Sequence, residues 1–177
     1  MRRRLGDVIY AIREDDGGSL AVSAVEALRR RGWTAATCES LTGGMIASSL
    51  VEVPGASEVV RGGLVTYQSV AKTLLADVPA AMIEQYDVVS AEVACAMAEG
   101  ARKRLGTDIA VSATGIAGPG GGTAERPVGT VWLAVATAEG VTPIGLKLSG
   151  SRERIRTLAC KHALNAIRRM AEEEKKP

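Results

Sequence analysis

Two kinds of apolar pattern alternate along the chain. Short runs rich in Val, Ala and Leu, each bounded by turn residues, read as strands at Trp33–Cys38, Leu64–Tyr67, Asp108–Ser112, Thr130–Ala136 and Thr142–Leu148. Between them, apolar residues recur every three or four positions, as on one face of a helix. Ser19 is placed to cap a helix that runs to about Arg31. A second follows the step Thr42-Gly43-Gly44 and ends before Pro54-Gly55. Helical material resumes near Ser69, breaks near Pro79 and continues toward Tyr86. Ser90-Ala-Glu-Val opens a further helix, with Val93, Met97 and Ala101 one turn apart and a stop at Gly106. The last helix spans about Ser151–Glu173.

At the N-terminus, Leu5, Val8, Ile9 and Ile12 suggest a short amphipathic helix within a 1–17 extension, closed by Asp15-Asp-Gly-Gly. Residues 174–177 read as a frayed tail. Helices alternating with strands early, and a hairpin turning at Ala138-Glu-Gly140 late, argue for an α/β fold. The expected architecture is one three-layer α/β/α domain over 1–177, with a mixed, mostly parallel sheet of about five strands. In such sheets ligands collect beyond the carboxyl ends of the strands. Three stretches fall there: Ser40–Gly44, Tyr67–Lys72 and Thr114–Gly122.

Composition narrows the choices. Phe is absent and aromatics total 3%, so the core must be built from Ala, Val, Leu and Ile. The formal net charge is +2, and the arginine clusters lie among acids on the predicted helices, as on a solvated face. A nucleic-acid binder would need a more one-sided basic patch with stacking aromatics. Cys38, Cys95 and Cys160 are far apart, and His162 is the only histidine, which makes a poor metal set. No metal or cofactor is expected, and the cysteines read as reduced thiols of a cytoplasmic protein. No apolar run approaches the ~18–20 residues that span a membrane, and charges interrupt the basic N-terminus, which argues against a signal peptide.

The three loops carry the candidate chemistry. In Glu39-Ser40-Leu-Thr-Gly-Gly44 a serine sits where a strand stops and a helix starts. Helix N-termini favour anions, so the amides of Thr42, Gly43 and Gly44 could face a developing oxyanion while Ser40 attacks. The same residues would also serve a plain strand-to-helix turn. In Thr66-Tyr67-Gln-Ser-Val-Ala-Lys72, a buried Lys72 could accept the serine proton and Tyr67 could relay or orient it. A surface lysine is the alternative. Ser69-Val-Ala-Lys72 also forms an S-x-x-K pattern, but the S-D-N and K-T-G partners of that pattern are missing. In the third loop, Thr114 could donate a hydrogen bond to substrate, and Arg126 and Arg152 are candidate anion partners.

Taken together, ESLTGG, RGGLVTYQSVAK and VSATGIAGPGGGTAERPVGTVW resemble the CinA C-terminal family, from about Trp33 to the last helix. That family includes nicotinamide-nucleotide amidohydrolases. The resemblance implies metal-independent hydrolysis of the carboxamide of nicotinamide mononucleotide to nicotinic acid mononucleotide and ammonia, in pyridine-nucleotide salvage. It maps the nucleophile to Ser40, the general base to Lys72 and the motif tyrosine to Tyr67. It maps a further site residue to Thr114 and the phosphate partners to Arg152 and Arg156; Thr42, Gly43, Gly44 and Gly115 complete the expected substrate contacts. The expected partners are a small-molecule nucleotide and further copies of the same chain. Ser69 stands where the family often has Asn, and Ser151 where it usually has Asp. Longer family members carry a further N-terminal domain, so the chain reads as the stand-alone form. The alternative is a non-catalytic nucleotide-binding or regulatory module.

Overall fold

In the computed structural model, which describes residues 19–173, three serines and two glycines mark helix ends as their sequence contexts require. The chain runs α1 (Leu20–Arg31), β1 (Ala35–Glu39), α2 (Met45–Val51), a 3-10 turn (Ala56–Glu58), β2 (Val60–Val65), α3 (Ser69–Ala76) and α4 (Ala80–Tyr86). It continues through α5 (Ala91–Leu105), β3 (Ile109–Gly115), β4 (Thr130–Thr137), β5 (Gly140–Lys147) and α6 (Arg152–Glu172). The expected N-terminal helix and the tail at 174–177 lie outside the described residues. Ser19, Ser90 and Ser151 each accept a hydrogen bond from the amide three residues on, at 3.2, 3.3 and 3.2 Å. Gly32 and Gly106 close α1 and α5 in the left-handed region.

The five strands order as β2-β1-β3-β4-β5. β1 pairs in parallel with β2 and β3, while β4 is antiparallel to β3 and β5. The parallel strands therefore form one half of a mixed sheet, and the late hairpin forms the other. All five residues of β1 are buried, as expected for a strand covered on both faces. α1, α2 and α6 cover one face through Val25, Leu28, Ile46, Ile155 and Ile167, against Ile109, Val111, Leu133 and Val135. α3 and α5 cover the other, where Val93, Met97 and Ala101 meet Ala36, Cys38 and Ala110. The result is the expected three-layer arrangement.

Two features of this second layer position the site. Gly100 is buried in the middle of α5, where glycine costs about 1 kcal/mol relative to alanine. A Cβ there would lie 1.8 Å from the Ala76 carbonyl oxygen, so glycine is what lets α3 rest directly on α5. The second strand also differs from expectation. It runs Val60–Val65 rather than Leu64–Tyr67, and includes Gly62 and Gly63. Gly63 is required because a Cβ would sit 2.4 Å from the Thr37 hydroxyl on β1. The glycines weaken the apolar signal of a strand whose register is set by its neighbour. After β2 the Thr66 amide still donates to the Glu39 carbonyl at 2.8 Å, and the chain then leaves the sheet. Tyr67 is thereby carried into a loop above the strand ends.

Candidate active site

β1, β2 and β3 end at one edge of the molecule, and the loops that follow them enclose a cleft of about 660 Å³. Ser40, Leu41, Tyr67, Ser69, Lys72, Thr114, Gly115 and Arg152 line it, with Val70, Val88, Val89, Ile116 and Ala117 supplying apolar wall. The volume falls within the usual range for small-molecule sites. Ser40 follows the last residue of β1, and its amide donates to the Ala113 carbonyl on β3 at 2.8 Å. It is 8% exposed, at the floor of the cleft.

Lys72 comes from the first half of α3 and is 1% exposed. Its Nζ donates to the Thr66 carbonyl at 2.7 Å and lies 3.2 Å from Ser40 Oγ. Among the described residues it makes no ion pair with a carboxylate. Loss of hydration in this setting holds its pKa below the ordinary lysine value. The one opposing influence is Cys38, whose negative charge would favour the ammonium. Burial pushes the Cys38 thiol up to about 11, so that charge is absent at neutral pH. Lys72 is thus a buried amine whose nearest side-chain partner is a serine hydroxyl. Ser69, the other serine of the S-x-x-K pattern, is exposed at the start of α3.

The remaining expected residues divide. Arg152, at the first turn of α6, donates to the Gly118 carbonyl at 2.8 Å and to the Tyr67 hydroxyl at 3.1 Å. It links the second and third loops across the mouth of the cleft. Tyr67 is 60% exposed, so its phenol lies at the rim rather than beside the buried Ser40 and Lys72 side chains. Thr114 is buried, and its hydroxyl donates to the Val88 carbonyl at 2.7 Å. The expectation that it donates to a ligand is therefore corrected: its proton is spent, and its lone pairs are what it can offer. Gly115 lines the cleft, where a Cβ would meet the Thr130 carbonyl at 2.8 Å.

Thr42, Gly43, Gly44 and Arg156 do not line the cleft. The Gly43 amide donates to the Ser40 carbonyl at 3.1 Å, and the Gly44 amide to the Glu39 carboxylate at 3.0 Å. The expected oxyanion role of these two amides is thus corrected, because both already have acceptors. Arg156 donates from Nε to the Leu41 carbonyl at 2.8 Å and from Nη2 to the Thr42 carbonyl at 3.0 Å. It braces the serine turn from outside instead of facing an anion in the cleft. Arg126 is paired with Asp87 at 2.9 Å.

Glu39 is the residue that sequence reasoning passed over. It is fully buried, and its carboxylate accepts from the Gly44, Ile46 and Ala47 amides and from the Thr37 hydroxyl. A signal was available, since an acid ends an apolar strand just before a helix that has no side-chain cap of its own.

The sequence matches the CinA C-terminal domain over residues 18–171. The chain belongs to the CinA C-terminal domain family. It is similar to a CinA-like protein of Desulfotalea psychrophila, with 44% identity over 96% of this chain and 40% of that protein. It is also similar to a putative competence-damage inducible protein of Caldanaerobacter subterraneus subsp. tengcongensis, with 41% identity over 97% of this chain and 41% of that protein. The chain thus spans about two-fifths of the length of these curated relatives. Among solved structures, the competence/damage inducible protein CihA from Agrobacterium tumefaciens superposes with a TM-score of 0.83 at 37% identity, covering 87% of this chain and 94% of that one. A CinA superfamily protein from Escherichia coli gives 0.80 at 28% identity, over 93% and 97% of the two chains. No helix among the described residues is long and apolar enough to cross a membrane.

Proposed function

We propose that the domain hydrolyses the carboxamide of nicotinamide mononucleotide to the free acid and ammonia, with Ser40 as nucleophile and Lys72 as base. The observation that carries this reading is the 3.2 Å contact between Lys72 Nζ and Ser40 Oγ, in a lysine that burial favours in its neutral form. With a neutral amine the contact reverses, and the hydroxyl donates to the nitrogen lone pair. Ser40 Oγ then attacks the carboxamide carbon as its proton passes to Lys72 Nζ. Collapse of the tetrahedral adduct breaks the C–N bond, and ammonia leaves with the proton returned by Lys72. Water, deprotonated by the same amine, then cleaves the acyl-serine ester and frees the acid.

Other cleft groups have roles consistent with this. Among the described residues the Leu41 amide donates to no protein acceptor and Leu41 lines the cleft, so it is the serine turn's remaining donor for an oxyanion there. Thr114 Oγ1 can accept from the carboxamide nitrogen, and the walls of Val70, Val88, Val89 and Ile116 suit a flat ring. Arg152 keeps N–H donors beyond the two it uses, enough to receive a phosphate at the rim. Tyr67 holds that guanidinium in place, a different part from the proton relay expected of it.

The test is ammonia release from nicotinamide mononucleotide by wild type, Ser40→Ala, Lys72→Ala and Ser69→Ala. Activity in wild type and Ser69→Ala, absent from the other two, supports the dyad. A folded wild type that releases no ammonia refutes the substrate.

A further inference from the structure

The structure assigns Glu39 as the positioning residue for the serine nucleophile: its buried carboxylate stands in for a ligand at the start of α2 and fixes the turn that aims Ser40 at Lys72. The inference concerns how Ser40 is held and rests on the Ser40/Lys72 reading, but not on the identity of the amide substrate.

Carboxylate oxygens offer about four lone-pair sites in total, and here four donors meet them. Oε1 accepts from Thr37 Oγ1 at 3.1 Å and Ala47 N at 2.8 Å, and Oε2 from Gly44 N and Ile46 N at 3.0 Å each. The three amides are among those that the first turn of a helix leaves without intrahelical partners. α2 has glycine at its cap position and gains no side-chain cap there, so Glu39 supplies that function from the end of β1. No basic side chain forms an ion pair with Glu39 among the described residues, so its partners are the Thr37 hydroxyl and the three amides at the helix start.

Ser40 sits inside this closed loop of bonds. The chain leaves Glu39, reverses through Gly43 and Gly44 at φ of 60° and 96°, and returns its next amides to the Glu39 carboxylate. Arg156 clamps the same turn from the opposite side through the Leu41 and Thr42 carbonyls. Gly63 completes the support, since only its missing Cβ leaves room for the Thr37 hydroxyl that reaches Glu39. The positive end of α2 is therefore filled by the protein itself. A substrate anion has no call on it, and the nucleophile is held at its position before any ligand arrives.

A glutamine at this position has nearly the same shape but presents an NH₂ to two of the four donors. Glu39→Gln should therefore disturb the turn while leaving the cleft walls intact. The experiment reads the rate at which Ser40 is phosphonylated by a small fluorophosphonate, with the labelled residue identified by peptide mass. In that step the Oγ–P bond forms, the P–F bond breaks, fluoride leaves and the serine proton passes to Lys72. Nicotinamide mononucleotide turnover is measured in parallel, with thermal melting as the control for folding.

The expected result for Glu39→Gln is labelling and kcat both lowered about 100-fold, the scale of an ångström-sized misplacement. KM should stay within about threefold, and the pH at half-maximal labelling should not move, because Lys72 is untouched; these two readouts separate positioning from general loss of structure. Thr37→Val, which removes one of the four donors and keeps the charge, should give a smaller loss in the same direction. It decides the matter if Glu39→Gln does not fold. Wild-type labelling in a folded Glu39→Gln protein overturns the assignment, as does an unchanged rate in Thr37→Val when Glu39→Gln is unfolded. A wild type whose Ser40 is never labelled also overturns it, since no activated hydroxyl then exists to be positioned. Labelling of Ser40 without turnover of the nucleotide refutes the substrate and leaves the role of Glu39 standing.

Discussion

Gly100→Ala tests the link between helix packing and the dyad. A Cβ at this position would stand 1.8 Å from the Ala76 carbonyl oxygen and 2.6 Å from its carbon. An ordinary C···O approach is about 3.3 Å or more, so α3 and α5 must separate by roughly 1.5 Å at this point. The obstacle is backbone on both sides and cannot rotate away. Ala76 lies one turn beyond Lys72 on α3, so the displacement reaches the amine almost undiminished. Because Lys72 Nζ is already at 3.2 Å from Ser40 Oγ, such a shift breaks the contact. A misplacement of about 1 Å can cost on the order of 100-fold in rate, and that is the loss in kcat expected here. Overpacking costs about 1–3 kcal/mol, of which about 1 kcal/mol is offset by alanine's better helix propensity. The net loss of up to about 2 kcal/mol corresponds to a fall in Tm of roughly 4–8 °C for a chain of this size. Ammonia release and thermal melting measure the two effects. Wild-type kcat in Gly100→Ala, with an unchanged or raised Tm, would refute the claim that this glycine seats the base.

Lys72→Met should abolish turnover and yet raise thermal stability at neutral pH. Burial holds the lysine pKa below its unfolded value, so the unfolded chain binds more protons and the wild type pays a penalty below that unfolded pKa. The penalty fades as pH rises toward the ordinary lysine value of about 10.4, so the Tm gap between variant and wild type should narrow in alkaline buffer. Arg152→Ala should raise KM about tenfold or more for a phosphorylated substrate and change kcat less, which steady-state kinetics on the nucleotide and its dephosphorylated nucleoside will show. Asp108 accepts from the Thr34 amide and hydroxyl, both at 2.7 Å, and these bonds hold its carboxyl below the usual range. Its stabilisation is therefore present above the unfolded pKa of about 3.9 and lost as pH falls through the folded value. Asp108→Asn should lower Tm slightly at pH 6–7, with the difference closing in acid.

Much of this architecture could be read from local chemistry. The serine caps at 19, 90 and 151 and the glycine stops at 32 and 106 act within one helical turn, so sequence carries them directly. The apolar runs of β1, β3 and β4 are continuous because both faces are covered, and that too shows in the sequence. The motifs around Ser40, Tyr67, Lys72 and Thr114 brought all four residues to the lining of one cleft, Ser40 and Tyr67 from loops, Lys72 from α3 and Thr114 from the end of β3. β2 lies several residues before its apolar run because Gly63, which weakens the strand signal, answers to Thr37 on another strand.

The sequence by itself determined where most helices and strands begin, and that the candidate residues gather at or just beyond the carboxyl ends of the strands. Tertiary structure alone decided which partners they meet. It spent the Gly43 and Gly44 amides within the serine turn, turned Arg156 onto two carbonyls and seated α3 against Gly100. It also stripped Lys72 of water without giving it an acid among the described residues. The reason is range: capping and periodicity act over a few residues of chain. Burial, steric contact and the loss of hydration depend on segments tens of residues apart, and they exist only once the layers have closed.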